Sequence, residues 1–224
     1  MLYAIGDIHG MLSKLEELIE VLPLAPDDHL VFIGDYVDRG PDPAGTVEYL
    51  VKLRDRQKCT FLMGNHEAMF LSFLGWKGQE YFGAEAFLQN GGDVTLNTYR
   101  YFQSKGDFKL PPQHEDFFRG LKLWYLEGEY LFVHAGLSLE ALRLSDPEYA
   151  ISRERPRDLL WQRGTADLPH SLGITVVYGH TPTPDMQVRW NIPYSIGIDT
   201  GCVYGGVLTA IRLPDETVFT TSGC

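Results

Sequence analysis

Short apolar runs recur along the chain, and each one stops at a polar loop. Leu2-Tyr3-Ala4-Ile5 ends in Gly6-Asp7-Ile8-His9-Gly10, and Leu30-Val31-Phe32-Ile33 ends in Gly34-Asp35-Tyr36-Val37-Asp38-Arg39-Gly40. Thr60-Phe61-Leu62-Met63 runs into Gly64-Asn65-His66-Glu67. Tyr130-Leu131-Phe132-Val133 stops at His134-Ala135-Gly136, and Ile174-Thr175-Val176-Val177-Tyr178 stops at Gly179-His180-Thr181. Short continuous apolar runs of this kind read as strands buried on both faces. Between and after the first three, helical spacing takes over. Leu12, Leu15, Leu18, Ile19 and Leu22, then Val47, Leu50, Val51 and Arg54, recur at about 3.6 residues per turn. Ser13-Lys14-Leu15-Glu16 has the spacing of a capping box and predicts that the first helix starts there. Pro23, Pro26 and Asp27-Asp28 end it. Met69, Phe70 and Phe73 predict the buried side of a third helix. The unit strand, polar loop, helix makes the fold class α/β, with polar side chains at the carboxyl ends of strands, where open α/β sheets bind ligands.

The pattern weakens elsewhere. Residues 75–126 mix aromatics with Gly and Lys, carry the turn Asn90-Gly91-Gly92 and the pair Pro111-Pro112, and read as a mostly helical insertion bordering a cleft. In residues 138–172, rich in charge and proline, only Leu159-Leu160-Trp161 reads as firmly buried. Residues 194–198, 207–213 and 217–221 alternate with turn residues and predict an antiparallel, α+β finish, with Asp199-Thr200-Gly201 closing a turn. No repeat of fixed period and no linker divides the chain, so one domain over residues 1–224 is expected.

Composition narrows the function classes. The 224 residues carry a net charge of -11, with 44% hydrophobic and 22% charged residues. That balance suits a folded soluble domain and disfavours general affinity for nucleic-acid backbones or anionic membranes. Cys59, Cys202 and Cys224 are few, odd in number and far apart, so neither a disulfide framework nor a cysteine zinc cluster follows from them. The amino terminus enters a strand with no basic leader, and no apolar run is long enough to span a bilayer. A cytoplasmic protein is the simplest expectation.

Asp7, His9, Asp35, Asn65, His134 and His180 all stand at strand ends. Oxygen donors mixed with imidazoles suit Mn, Fe or Zn, and six such residues exceed the needs of one ion that keeps a water. They fit two divalent ions, with Asp35 as a central bridge. Two ions about 3.5–4 Å apart can activate a shared water and clamp two phosphoryl oxygens during in-line attack. Asp38 and His66 fit that hydrolysis, since a carboxylate bonded to one ring nitrogen orients a histidine that protonates the leaving group from the other. Arg39 adds a planar fork of donors for phosphate oxygens. Each motif alone has a plainer reading: a turn for Gly-Asp, a core histidine for His134, a surface pair worth about 0–1 kcal/mol for Asp38 with Arg39. Repetition at five strand ends outweighs these. His29, His114 and His170 lie in polar surroundings and are assigned to the surface.

In order and spacing the five motifs, from residue 6 to residue 181, resemble the phosphoprotein phosphatase family of metallophosphoesterases. The resemblance implies a calcineurin-like β-sandwich flanked by helices, with a dimetal site at the carboxyl ends of the strands, usually holding Mn in bacterial-type members. It implies a first metal on Asp7, His9 and Asp35 and a second on Asp35, Asn65, His134 and His180. It also implies His66 as general acid oriented by Asp38, and Arg39 and Asn65 at the phosphate. Trp161-Gln162-Arg163 resembles an element of the phage-lambda-type protein phosphatases, which makes Arg163 a second phosphate clamp. Ile198-Asp199-Thr200-Gly201-Cys202 resembles both those phosphatases and the symmetrical diadenosine tetraphosphate hydrolases. The hydrolases carry alanine, aspartate and tryptophan where this chain has Asp38, Glu67 and Thr181. By resemblance the leading expectation is a protein serine/threonine phosphatase, also open to phosphotyrosine, acting on a phosphoprotein or phosphopeptide. A symmetrical diadenosine polyphosphate hydrolase is the alternative, and a metal-binding scaffold without catalysis the third.

Overall fold

A computed structural model describes residues 1–224, the side chain of Phe102 excepted. The first three units become β1 (Leu2–Ile5), α1 (Leu12–Val21), β2 (His29–Phe32), α2 (Pro43–Leu53), β3 (Lys58–Phe61) and α3 (Asn65–Phe73). After α4 (Gly92–Thr98) and α5 (Pro112–Arg119) come β4 (Trp124–Glu127), β5 (Tyr130–Val133), α6 (Pro147–Ser152) and α7 (Pro156–Trp161). The chain finishes with β6 (Thr175–Tyr178), β7 (Arg189–Asn191), β8 (Ser195–Gly197), β9 (Thr209–Leu213) and β10 (Thr217–Thr220). One sheet has the order β10-β9-β1-β2-β3 and the other β4-β5-β6-β8-β7. β1, β2 and β3 run parallel, as do β5, β6 and β8.

Strand alternation sorts the apolar runs into layers. Ala4, Val31 and Ile33 of the first sheet meet Phe132, Val177 and Ile196 of the second between the sheets. Tyr3, Ile5, Leu30 and Phe32 point the other way, into a cluster with Leu15 and Leu18 of α1, Val47 and Leu50 of α2, and Phe70 of α3. On the far side Leu131, Val133 and Val176 pack with Leu142, Ile151 and Leu159. Both faces of each central strand are therefore buried, each large side chain contributing about 1.5–3 kcal/mol. This is the β-sandwich flanked by helices that the motifs imply. Asp42 caps α2, accepting from the Gly45 N–H at 2.8 Å, and Pro43 supplies a preset φ in the first turn.

Several expectations are corrected. Helix α1 starts at Leu12, with the Met11 carbonyl accepting from Lys14 and Leu15 at 3.0 Å. Ser13 therefore lies inside the first turn, and no capping box forms. The insertion is helical only up to Arg119; Trp124–Glu127 then pairs antiparallel with β5. Leu137, Ala141, Leu142, Ala150 and Ile151 are buried along with Leu159 and Leu160, whereas Trp161 is half-buried. The helices there are too short to print a period. The finish is mixed, because β8 lies parallel to β6 while β7, β9 and β10 join antiparallel neighbours.

The surface assignment of two histidines is also corrected. His29 is buried between Glu127 (2.9 Å) and Thr60 (3.0 Å), and His114 between Tyr99 (2.8 Å) and Glu48 (2.9 Å). Their partners are distant in sequence, so local polarity misleads. His170 is half-buried and donates to the Tyr194 carbonyl at 3.0 Å. Cys202 and Cys224 form a disulfide, with Cα atoms 5.5 Å apart, and Cys59 is free. The β9–β10 hairpin brings the last residue back beside the turn at Cys202, a meeting that cysteine spacing alone does not encode. Among the described residues, no helix is long and apolar enough to cross a membrane.

Candidate metal centre

The parallel strands of both sheets deliver their carboxyl-terminal loops to one place. Asp7 and His9 follow β1, Asp35, Asp38 and Arg39 follow β2, and Asn65 and His66 open α3 after β3. From the second sheet come His134 after β5 and His180 after β6. Asp7, His9, Asp35, Asp38, Asn65, His66, His134 and His180 are all buried. His9, Asp35, Asp38, Arg39 and His180 have φ of 46°, 54°, 71°, 69° and 66°, a left-handed conformation that costs a non-glycine residue about 1–3 kcal/mol and concentrates at functional sites. Gly64 is required because a Cβ there would collide with the Asp35 carboxylate and backbone.

Two groups of ligand atoms gather, His9–Asp35–His66 and Asp35–His134–His180, each within 4.8 Å. Asp35 belongs to both. Its Oδ2 lies 3.4 Å from His9 Nε2 and its Oδ1 3.4 Å from His134 Nε2. His9 Nδ1 donates to the Val37 carbonyl at 3.0 Å and His134 Nδ1 to the Ile33 carbonyl at 2.9 Å. Those bonds turn both Nε2 lone pairs toward Asp35, the orientation a metal-ligating imidazole needs. Asn65 Oδ1 sits 3.0 Å from His134 Nε2 and 2.9 Å from His180 Nδ1. Asp7 stands outside both groups; its Oδ2 accepts from the His180 N–H at 3.0 Å.

The residues fit divalent cations. Asn65 Oδ1, Asp35 Oδ1 and the His134 Nε2 lone pair are acceptors facing one another, an arrangement that a shared cation makes favourable. Among the described residues, Asp7 Oδ1 and His180 Nε2 are buried with no hydrogen-bond partner. Burial lowers the pKa of His9 and His134, and burial together with His134 takes His180 down to about 3, so these rings stay neutral, each keeping one lone pair to offer a ligand. Burial raises Asp35 and the imidazoles of His134, His66, His9 and His180 lower it, the lowering winning; among these rings His66 is the one whose own pKa is raised, so it carries the charge that keeps the carboxylate ionised.

His66 differs from the other three imidazoles. Its Nδ1 donates to Asp38 Oδ2 at 2.6 Å, and burial is outweighed by Asp35 and Asp38, so its pKa is raised. Thr95 of α4 holds the pair, donating to Asp38 Oδ1 at 2.5 Å and accepting from the Asp38 N–H at 2.9 Å. Arg39 Nη1 donates to His9 Nε2 at 2.7 Å, with its guanidinium 5.3 Å from the Tyr204 ring centre. One lone pair serves either Arg39 or a metal, so an ion on His9 frees the guanidinium. Arg163 is exposed at the rim and donates to Thr181 Oγ1 at 3.3 Å.

Three residues at the centre escape motif reading. Thr95 sits in the weakly patterned insertion. Glu67 is fully buried and accepts from the N–H groups of Gly64, Asp35, Tyr36 and Val37 at 2.8–3.2 Å, tying the β2 loop to the start of α3. Asp199 follows β8 as a sixth strand end. It does accept from the Gly201 N–H (3.0 Å), as a turn residue would, but it is buried, and burial chiefly, with Asp35 adding, pushes its carboxyl up to about 7. The signal existed, since residues 194–198 end in Asp as the other runs do.

Comparison with known proteins identifies the architecture. The family model of calcineurin-like phosphoesterases matches residues 2–213. The chain belongs to that family. Family members use divalent metals, and the two groups meeting at Asp35 could hold them. The chain is 31% identical over 242 residues, covering 96% of itself and 91% of the relative, to a Geobacillus sp. (strain WCH70) protein named bis(5'-nucleosyl)-tetraphosphatase PrpE, asymmetrical. A protein of the same name from Oceanobacillus iheyensis is 28% identical, with 95% and 88% covered. Among solved structures, a putative diadenosine tetraphosphatase superposes with a TM-score of 0.62 at 23% identity, covering 98% of this chain and 92% of that one. A protein serine/threonine phosphatase from Saccharomyces cerevisiae gives 0.61 at 16% identity, covering 98% and 78%. This calcineurin-like phosphoesterase is a hydrolase.

Proposed function

We propose that this phosphoesterase hydrolyses dinucleoside polyphosphates, cutting the anhydride next to one nucleotide to leave unequal products. The observation that carries the reading is the activity that names relatives aligned over 96% of this chain and 91% of their own length. It moves the leading expectation from a phosphoprotein to the dinucleotide. Asp38, Glu67 and Thr181 separated the chain from the symmetrical hydrolases only, and the relatives carry the asymmetrical name.

Asp7, His9 and Asp35 would hold one ion and Asp35, Asn65, His134 and His180 the other, Mn being our choice for mixed carboxylate, amide and imidazole donors. When bound, such ions supply Lewis acidity to phosphoryl oxygens and lower the pKa of water. Arg39, Arg163 and Asn65 would orient the phosphate. Water adds to phosphorus, the P–O–P bridge breaks, its electron pair leaves with the longer nucleotide, and the water proton passes to solvent. His66, held by Asp38, would donate a proton to a departing oxygen.

That last pair favours a second reading, hydrolysis of a phosphomonoester such as phosphoserine. An alkoxide leaving group needs protonation far more than a phosphate does, and a buried, positioned imidazole is the group to supply it. The deciding experiment is a parallel assay of Mn-loaded protein on diadenosine tetraphosphate and on phosphoserine, phosphothreonine and phosphotyrosine peptides. Dinucleotide turnover far above peptide turnover, with AMP and ATP as products, is expected; peptide turnover without dinucleotide turnover would overturn the proposal in favour of the second reading.

A further inference from the structure

Beside the metal centre, a pocket of about 500 Å³ opens between residues 82–86 and α7. Its size is that of a small-ligand site. Phe82, Glu85, Arg157, Asp158, Trp161 and Gln162 line it. Trp161 belongs to pocket and centre alike: its ring packs edge-on against His180, centroids 5.9 Å apart. Its Nε1–H is buried and has no hydrogen-bond partner among the described residues.

The chemistry of the lining excludes a second phosphate subsite. Arg155 holds Asp158 through two hydrogen bonds, at 2.8 and 3.1 Å, and Glu85 stands against Arg157, so the lining has no net positive charge to offer a phosphate. A flat, neutral heteroaromatic ring uses what is there. Phe82 and Trp161 offer aromatic surface, and the Glu85 carboxylate an acceptor for an exocyclic amine.

We infer that this pocket is the subsite for one nucleobase of the substrate, an inference that rests on the dinucleotide reading above. The Trp161 indole lines the pocket on one side and meets His180 on the other. A base bound there brings its own first phosphate to the metal centre, so the bond cut lies next to that nucleotide.

The test compares AMP with ribose 5-phosphate, two ligands that differ only in the base, by calorimetric titration into Mn-loaded protein. AMP should bind at least about tenfold tighter, in keeping with one stacked base. Phe82→Ala should erase that preference. Phe82 also packs against Met63 and Leu160, so Ala86→Leu, which narrows the pocket without removing packing, should erase it independently. Equal affinity for the two ligands would overturn the inference, as would a preference that survives in both variants. Cleavage of diadenosine tetraphosphate to two ADP would overturn it too. If the dinucleotide is not hydrolysed while the preference for AMP holds, the proposed function fails and the pocket remains a nucleobase site for another nucleotide ligand.

Discussion

Asp35 presents one carboxylate oxygen to His9 and the other to His134, each at 3.4 Å, whereas Asp7 turns an oxygen toward the His180 backbone. A residue serving two ions should matter more than one serving a single ion. We expect Asp35→Asn to weaken Mn binding beyond the about 10–100-fold that loss of an outer-shell partner costs, and further than Asp7→Asn does; equal losses in metal titrations would refute the bridge. For His66→Asn, general-acid loss predicts a kcat about 10²–10⁴-fold lower on a phosphoserine peptide and a smaller fall on diadenosine tetraphosphate, whose leaving group is already a stable anion. Steady-state kinetics on both substrates decide it, and an equal fall would mean that His66 does something other than protonate. These residues were legible because each ends an apolar run in a residue type with obvious chemistry. Thr95 was not, since its task depends on meeting Asp38 from α4, 57 positions along the chain, and nothing periodic marks it. Glu67 was visible as a family difference but not as the acceptor of four backbone N–H groups.

At the scale of elements, legibility followed length and continuity of pattern. The apolar runs became β1, β2, β3, β5 and β6 within a residue or two, because a strand buried on both faces has one reading. Helices α6 and α7 have six residues each, fewer than two turns, and no period can announce them. The carboxyl-terminal hairpin shows a further limit: strand pairing between β9 and β10 decides that Cys224 returns to Cys202. Labelling of unfolded, unreduced protein should therefore find one thiol per chain, Cys59, and three after reduction; three before reduction would exclude the disulfide. Closing a loop of 22 residues should stabilise the native state by about 3 kcal/mol in the chain-entropy account, so Cys224→Ser is expected to lower the midpoint of denaturant unfolding. Such bonds are rare in the cytosol, which makes the same count, taken on protein lysed under alkylation, a check on the cytoplasmic expectation.

Across the whole molecule, the two sheets bring their carboxyl ends together, and the price of that convergence is buried like charge. Asp7 is pushed up by burial, then by Asp199 and Asp35, while Asp199 itself rises to about 7. Divalent ions would neutralise this cluster; with metal stripped, it opposes folding. The sign follows from proton binding. Between pH 4 and 7 folded Asp199 holds a proton that the unfolded chain has lost, so the native state binds more protons and stability falls as pH rises through that window. His180, lowered to about 3, acts in the opposite direction between about pH 3 and 6.5, so the contribution of Asp199 is isolated by difference. Asp199→Asn keeps an oxygen for the Gly201 N–H and removes the titration. Relative to wild type, the chelator-treated variant should gain on the order of 2–4 kcal/mol on going from pH 5 to pH 8, measured by denaturant unfolding. With Mn added, the gain at pH 8 should shrink, because ions that bind only the folded site already offset the charge. A variant that tracks wild type at both pH values, with and without metal, would show that Asp199 is only the turn residue its local sequence suggests.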